Sequence, residues 1–100
     1  MDRPIYSVGK PVVSAENGDK IGKLVDVRSD DLTLAPQWLV VDPGFFRAAH
    51  YVPAQMAYQS DDGSVVVPFS KEVVKHSPAA EKVLTPQVAT QLREYYGTAA

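Results

Sequence analysis

Short valine-rich runs, each closed by a turn signal, recur along this chain and leave few folds open to it. Asn17-Gly18-Asp19 precedes the run from Lys20 to Arg28, and Trp38-Leu39-Val40-Val41-Asp42 leads into Pro43-Gly44. Tyr51-Val52 ends at Pro53, and Asp61-Asp62-Gly63 introduces Val65-Val66-Val67-Pro68-Phe69. Closely spaced strands of this kind predict a mainly β fold, a small, strongly bent antiparallel β-barrel of about five or six strands. A chain of 100 residues has room for one domain, with its core over about 8–97.

The first convincing strand is Pro11 to Ala15, after a short extended stretch around Ile5 to Val8. Asn17-Gly18 then turns the chain, because these residues accept the positive φ angles of a tight hairpin. The run Lys20 to Arg28 does not alternate cleanly. Ile21, Val25 and Val27 share one phase, Leu24 falls on the other, and Gly22 interrupts both. A glycine inside a strand pattern predicts a bulge or sharp bend, which a small barrel needs in order to curl. Ser29 to Thr33 reads as a polar connection. Trp38 to Val41 is apolar at every position, so this strand is either covered on both faces or part of a contact surface.

The tail is helical. Ser70 caps a short turn through Val73 and Val74, which Ser77-Pro78 stops. Thr85 as N-cap with Pro86 at the first helical position starts a second helix. Val88, Leu92, Tyr95 and Tyr96 recur at helical spacing, and Gly97 is read as the stop. Such a short helix is marginal alone in water and must lie on apolar surface of this chain or of a neighbour. Its two tyrosines are expected to pack through their rings, with hydroxyls left to reach water. Ile21, Val41, Val67 and Leu92 sit on the most consistent apolar phases and are the expected core.

Composition narrows the functional classes. A formal net charge of -2 argues against a protein whose main task is holding nucleic acid, since that task relies on clustered Lys and Arg. The absence of cysteine points to a reducing compartment, and the reading is a cytoplasmic protein. No charged leader followed by an apolar run is present, and no stretch approaches the roughly 20 apolar residues of a membrane span.

No catalytic set assembles from the sequence. His50 and His76 have no second histidine or cysteine at metal-ligand spacing, so neither a metal nor another cofactor is expected. Asp30-Asp31 and Asp61-Asp62 fall in connections, where Asp is selected for local hydrogen bonding. No serine stands in a nucleophile motif, and Gly18 and Gly22 serve a turn and a bend rather than a phosphate loop.

Together these elements resemble the PRC-barrel family, named for the cytoplasmic domain of the photosynthetic reaction-centre H subunit. The same barrel forms the C-terminal domain of a ribosome maturation factor. The resemblance is carried by Gly18-Asp19-Lys20-Ile21-Gly22-Lys23, Trp38-Leu39-Val40-Val41-Asp42, Tyr51-Val52-Pro53, Val67-Pro68-Phe69-Ser70-Lys71-Glu72-Val73-Val74 and Leu84-Thr85-Pro86 to Tyr95-Tyr96-Gly97. It runs from about Val8 to Gly97 and is strongest to stand-alone bacterial members. The family resemblance implies docking and assembly, with no shared active site to carry over. Neither the membrane helix of the first relative nor the extra domain of the second is read here, so a photosynthetic or ribosomal role is not expected.

The resulting expectation is a non-enzymatic protein-interaction or assembly module with an unknown protein partner. A small-molecule- or RNA-binding barrel is the alternative. Trp38, Phe45, Phe46 and Arg47 are the candidate interaction surface, since aromatics and Arg are enriched at interfaces. Capping of a small core is the other reading of Phe45 and Phe46, and Trp38 divides the same way between core and interface. The apolar strand, the aromatic pair and the short helix together exceed what a barrel of this size covers easily. A homodimer is the expected resolution.

Overall fold

The computed structural model describes residues 6, 8–29, 36–44, 48–77 and 84–99. In chain order they form β1 (Pro11–Ser14), β2 (Lys20–Ser29), β3 (Pro36–Asp42), β4 (His50–Pro53), β5 (Tyr58–Gln59), β6 (Val65–Val67), α1 (Lys71–Lys75) and α2 (Pro86–Ala99). The strands make one six-stranded sheet in the order β4-β3-β2-β1-β6-β5. The fold is mainly β, as the turn rhythm predicts.

Two features differ from the expected antiparallel barrel. Among the described residues the end strands β4 and β5 do not pair, so the sheet is not closed. β1 and β6 run parallel, Val12 opposite Val65 and Ser14 opposite Val67, while the other neighbouring strands are antiparallel. A parallel pair needs a long crossover, and most of the sheet lies between β1 and β6 in sequence. The failure to close has a simple cause. β5 is 2 residues long and both are exposed, too little backbone for a seam with β4. Helix α2 covers the core instead, contributing Ala89, Leu92 and Tyr96 to the same cluster as the strands.

β2 explains the irregular apolar phase. Against β1 its register slips between Val12 and Val13, which face Gly22 and Lys20 and leave Ile21 extra. Against β3 a second slip sets Leu24 opposite Val41 and Asp26 opposite Val40, leaving Val25 extra. Each extra residue flips the alternation. Ile21 and Leu24 are therefore both buried, while Val25, which the simple period-2 count places with Ile21, is 38% exposed. Gly22 stands where β3 ends across it. A Cβ there would abut the Asp42 carbonyl oxygen and lie 2.9 Å from the carbonyl carbon, so no larger residue fits without backbone movement.

The turns follow the sequence closely. Gly18 takes φ 78°, the Ser14 amide donates to the Asp19 carbonyl at 2.9 Å, and the Asp19 amide donates to the Asn17 side chain at 3.0 Å. Ser70 caps α1 by accepting from the Val73 amide at 3.1 Å, and Thr85 caps α2 by accepting from the Val88 amide at 3.1 Å. Gly97 does not stop α2, which runs on through Ala99. Its φ is not positive, so the glycine sits in the helix without acting as a left-handed cap. Val8 lies in a turn rather than a strand, and Ile5 is outside the described residues.

Ile21, Val41, Val67 and Leu92 are all in the core, the least buried being Ile21 at 4%. β3 begins two residues before Trp38, at Pro36, and its run Trp38 to Val41 is covered on both faces within the chain. Val67→Ala and Leu92→Ala should therefore destabilise by about 1–4 kcal/mol in thermal or denaturant melts. Unchanged midpoints would contradict this core.

The glycines give a paired prediction. Gly22→Ala should cost about 1–3 kcal/mol through overpacking against β3. At Gly97 nothing lies within 4 Å of an added Cβ. Gly97→Ala should thus stabilise by up to about 1 kcal/mol through helix propensity. The two melts must move in opposite directions.

Candidate functional site

The α1 cap positions one wall of a concavity among the described residues. Once Ser70 starts the helix, Lys71 and Lys75 fall four residues apart on one face, and Val74 turns beneath them into the core. The start of β2 and the end of β3 meet this face, and Lys20, Ile21, Gly22 and Val41 line the opposite wall. Pro43, Ala48 and His50 complete a partly open groove of about 630 Å³. The size lies within the roughly 300–1,000 Å³ of ligand-binding clefts.

Its floor and rim differ in chemistry. Ile21, Val41 and Val74 are core residues whose edges close the bottom, and the lining is more apolar than polar. Lys20, Lys71 and Lys75 are all exposed on the rim, and no Asp or Glu is among the described lining residues. Among the described residues none of these lysines forms an ion pair. A chain of net charge -2 thus gathers uncompensated positive charge around one apolar groove.

His50 and Ser77 form a hydrogen-bonded pair at the edge of this region, Nδ1 to Oγ at 2.9 Å. Ser77 Oγ donates its own proton to the Val74 carbonyl at 2.7 Å, so the Nδ1 nitrogen is the donor to Ser77. The serine is buried and its hydrogen is held by backbone, which makes the pair a brace between β4 and α1. His76 caps α1, with Nδ1 2.9 Å from the Glu72 carbonyl. Among the described residues no three His, Asp or Glu side chains gather in a metal-binding group. No described helix is long and apolar enough to cross a membrane.

The helix tyrosines correct the expectation that their hydroxyls reach water. Tyr95 donates to the Val73 carbonyl and Tyr96 to the Tyr51 carbonyl, each at 2.6 Å. The Tyr96 ring also packs against Phe69, with centroids 4.7 Å apart. Burial pushes the Tyr96 phenol well above the ordinary tyrosine range, so it stays protonated and remains a donor. These two bonds fasten α2 to α1 and β4, on the elements that carry the groove.

Of the sequence-derived interaction residues the structure describes only Trp38, which does not line this groove. Trp38 lies in the core at 3% exposure, edge-on to Tyr51 with centroids 6.3 Å apart. The Arg93 guanidinium of α2 lies 6.0 Å from the Trp38 ring centroid. Of the two readings of Trp38, the core is where its side chain sits in the single chain. Phe45, Phe46 and Arg47 lie outside the described residues, as do Asp30 and Asp31. The reading missed the lysine rim. The i, i+4 spacing of Lys71 and Lys75 was a usable signal, but Lys20 joins them only through tertiary structure. The large apolar side chains exposed elsewhere among the described residues are Val8, Val25, Met56 and Tyr58, away from the groove lining.

A model of the PRC-barrel domain family matches residues 8–74, more than half of the chain. The matched span holds every described groove residue except Lys75, and it ends before α2. The resemblance read from the sequence therefore extends further, to Gly97, than the family match does. No curated protein matches the chain.

Asp62 stands outside the groove, in the turn between β5 and β6. Its carboxylate accepts from Ser60 Oγ at 2.5 Å and from the Ser64 amide at 2.9 Å, tying the β5–β6 turn around Gly63. These bonds, the Ser60 hydroxyl foremost, lower its pKa from 3.8 to about 2. The stabilisation is complete above the unfolded value and is lost as pH falls through the folded one, so the turn loosens between about pH 4 and 2. Carboxyl-carbon NMR titration should find Asp62 near 2, and Ser60→Ala should move it back toward 3.8. An unshifted Asp62 in the wild type would refute the bonded turn.

Proposed function

We propose a non-enzymatic docking role for this chain, which belongs to the PRC-barrel family. In this role the groove between α1 and the β2–β3 wall receives a segment of a partner protein. The observation that carries the reading is the apolar floor ringed by Lys20, Lys71 and Lys75, which lack ion-pair partners among the described residues. Interfaces combine an apolar centre with a polar, charged rim, and this groove has both. The commitment of the Ser77 proton to the Val74 carbonyl supports binding rather than nucleophilic chemistry at the neighbouring histidine. A small-molecule or RNA ligand is the rival reading. Among the described residues the lining offers no aromatic face for base stacking apart from the His50 imidazole, which favours a protein segment over RNA.

The test is site-specific photocrosslinking in the source cells, with benzoylphenylalanine placed in turn at position 20, 71 or 91. Gln91, on the exposed side of α2, is the control. Crosslinks to the same protein from positions 20 and 71, absent from 91 and abolished by Lys75→Glu, are expected. Equal labelling from all three positions, or none from the groove, would overturn the docking role. Sedimentation of the purified chain at tens of micromolar shows in parallel whether that protein is a second copy. A single species near 10.9 kDa excludes it.

A further inference from the structure

The groove also constrains the chemistry of what it takes, and this inference rests on the docking role just proposed. We infer that the docked segment is a short acidic peptide stretch bearing at least one bulky apolar side chain. Three observations lead there. The floor is built from Ile21, Val41 and Val74, so a polar occupant would lose hydration against it without new hydrogen bonds. The rim presents cations from two separate elements, Lys20 on β2 and Lys71 with Lys75 on α1. Along the helix the two α1 lysines are about 6 Å apart, one turn.

Positive charge distributed around a rim, rather than converging on one point, matches several carboxylates spaced along a peptide. It matches the single head group of a small amphiphilic anion less well. The flexible lysine stems add apolar wall below their charges, and the charged heads remain in water until a partner arrives. The net charge of -2 already includes these three lysines, so the remainder of the chain is more acidic still and repels the same segment elsewhere. Positive potential at the groove therefore gives the encounter its direction.

The experiment is an isotope-labelled NMR titration of the intact chain with the synthetic peptide acetyl-Asp-Glu-Leu-Asp-Phe-Glu-amide. Saturable shifts confined to groove amides, around Lys20 to Gly22, Val41, His50 and Lys71 to Lys75, are expected. The isosteric peptide with Asn and Gln in place of the acids should bind about tenfold more weakly, a change of about 1.4 kcal/mol. Lys71→Glu with Lys75→Glu should weaken the acidic peptide by a similar factor or more, while Lys71→Arg with Lys75→Arg retains binding. Raising salt from about 50 to 300 mM should weaken it further as screening shortens. An unchanged amide spectrum away from the groove confirms that each variant is folded.

No saturable shift, equal binding of the neutral peptide, or preference for decanoate or oligo-uridine at the groove would each overturn the inference. Peptide failure with the groove crosslinks intact removes the acidic-segment assignment and leaves the docking role standing. Loss of the crosslinks removes the docking role itself.

Discussion

The close approach of β3 to β2 at Gly22 is the constraint on which the groove wall depends. β2 pairs with β1 through its first residues and with β3 through the remainder, so it must change direction along its own length. Two bulges supply the bend, and the missing side chain at Gly22 lets the Asp42 backbone come down across it. The same bend brings Ile21 and Leu24 inward together despite their odd spacing. It also sets Lys20 at the mouth of the groove, next to the end of β3.

An open sheet of this size leaves its core uncovered on one side, and α2 supplies the cover. Its apolar stripe alone would permit sliding, because dispersion and hydrophobic contact carry little directional information. The tyrosine hydroxyls fix the register: one bonds to α1, the other to β4, and each satisfies a backbone carbonyl. The Ser77 brace joins the same two elements from below. These bonds hold α1 against β4 and keep Lys71 and Lys75 at the rim. The family match ends before α2, so the helix that steadies the groove lies outside the matched span.

The docking role fits how the two kinds of residue are divided. Trp38 and its apolar neighbours, which looked available for a partner, are spent on the core. The surface left at the groove is lysine over an apolar floor. In the proposed docking role, binding there would draw on charge for encounter and on apolar contact for residence.

Turns, caps and the identity of the core were legible in the sequence because each depends on neighbours within a few residues. Asn17-Gly18 needs only a positive φ, Ser70 and Thr85 need only an amide three residues on, and the helix stripe of Leu92 is a local period. Gly97 misled because the glycine stop depends on a left-handed conformation that its helix does not adopt. Val25 misled because a bulge resets the phase, and bulges are set by the strand alongside. The tyrosine bonds span 22 and 45 residues, and the parallel β1–β6 pair joins strands from opposite ends of the sheet sequence. The sequence by itself determined a mainly β chain with its turns, caps and apolar core. Only the tertiary structure decided that the sheet stays open, that α2 covers it, and that Lys20 meets Lys71 and Lys75 over one groove, because those outcomes rest on contacts that no local pattern encodes.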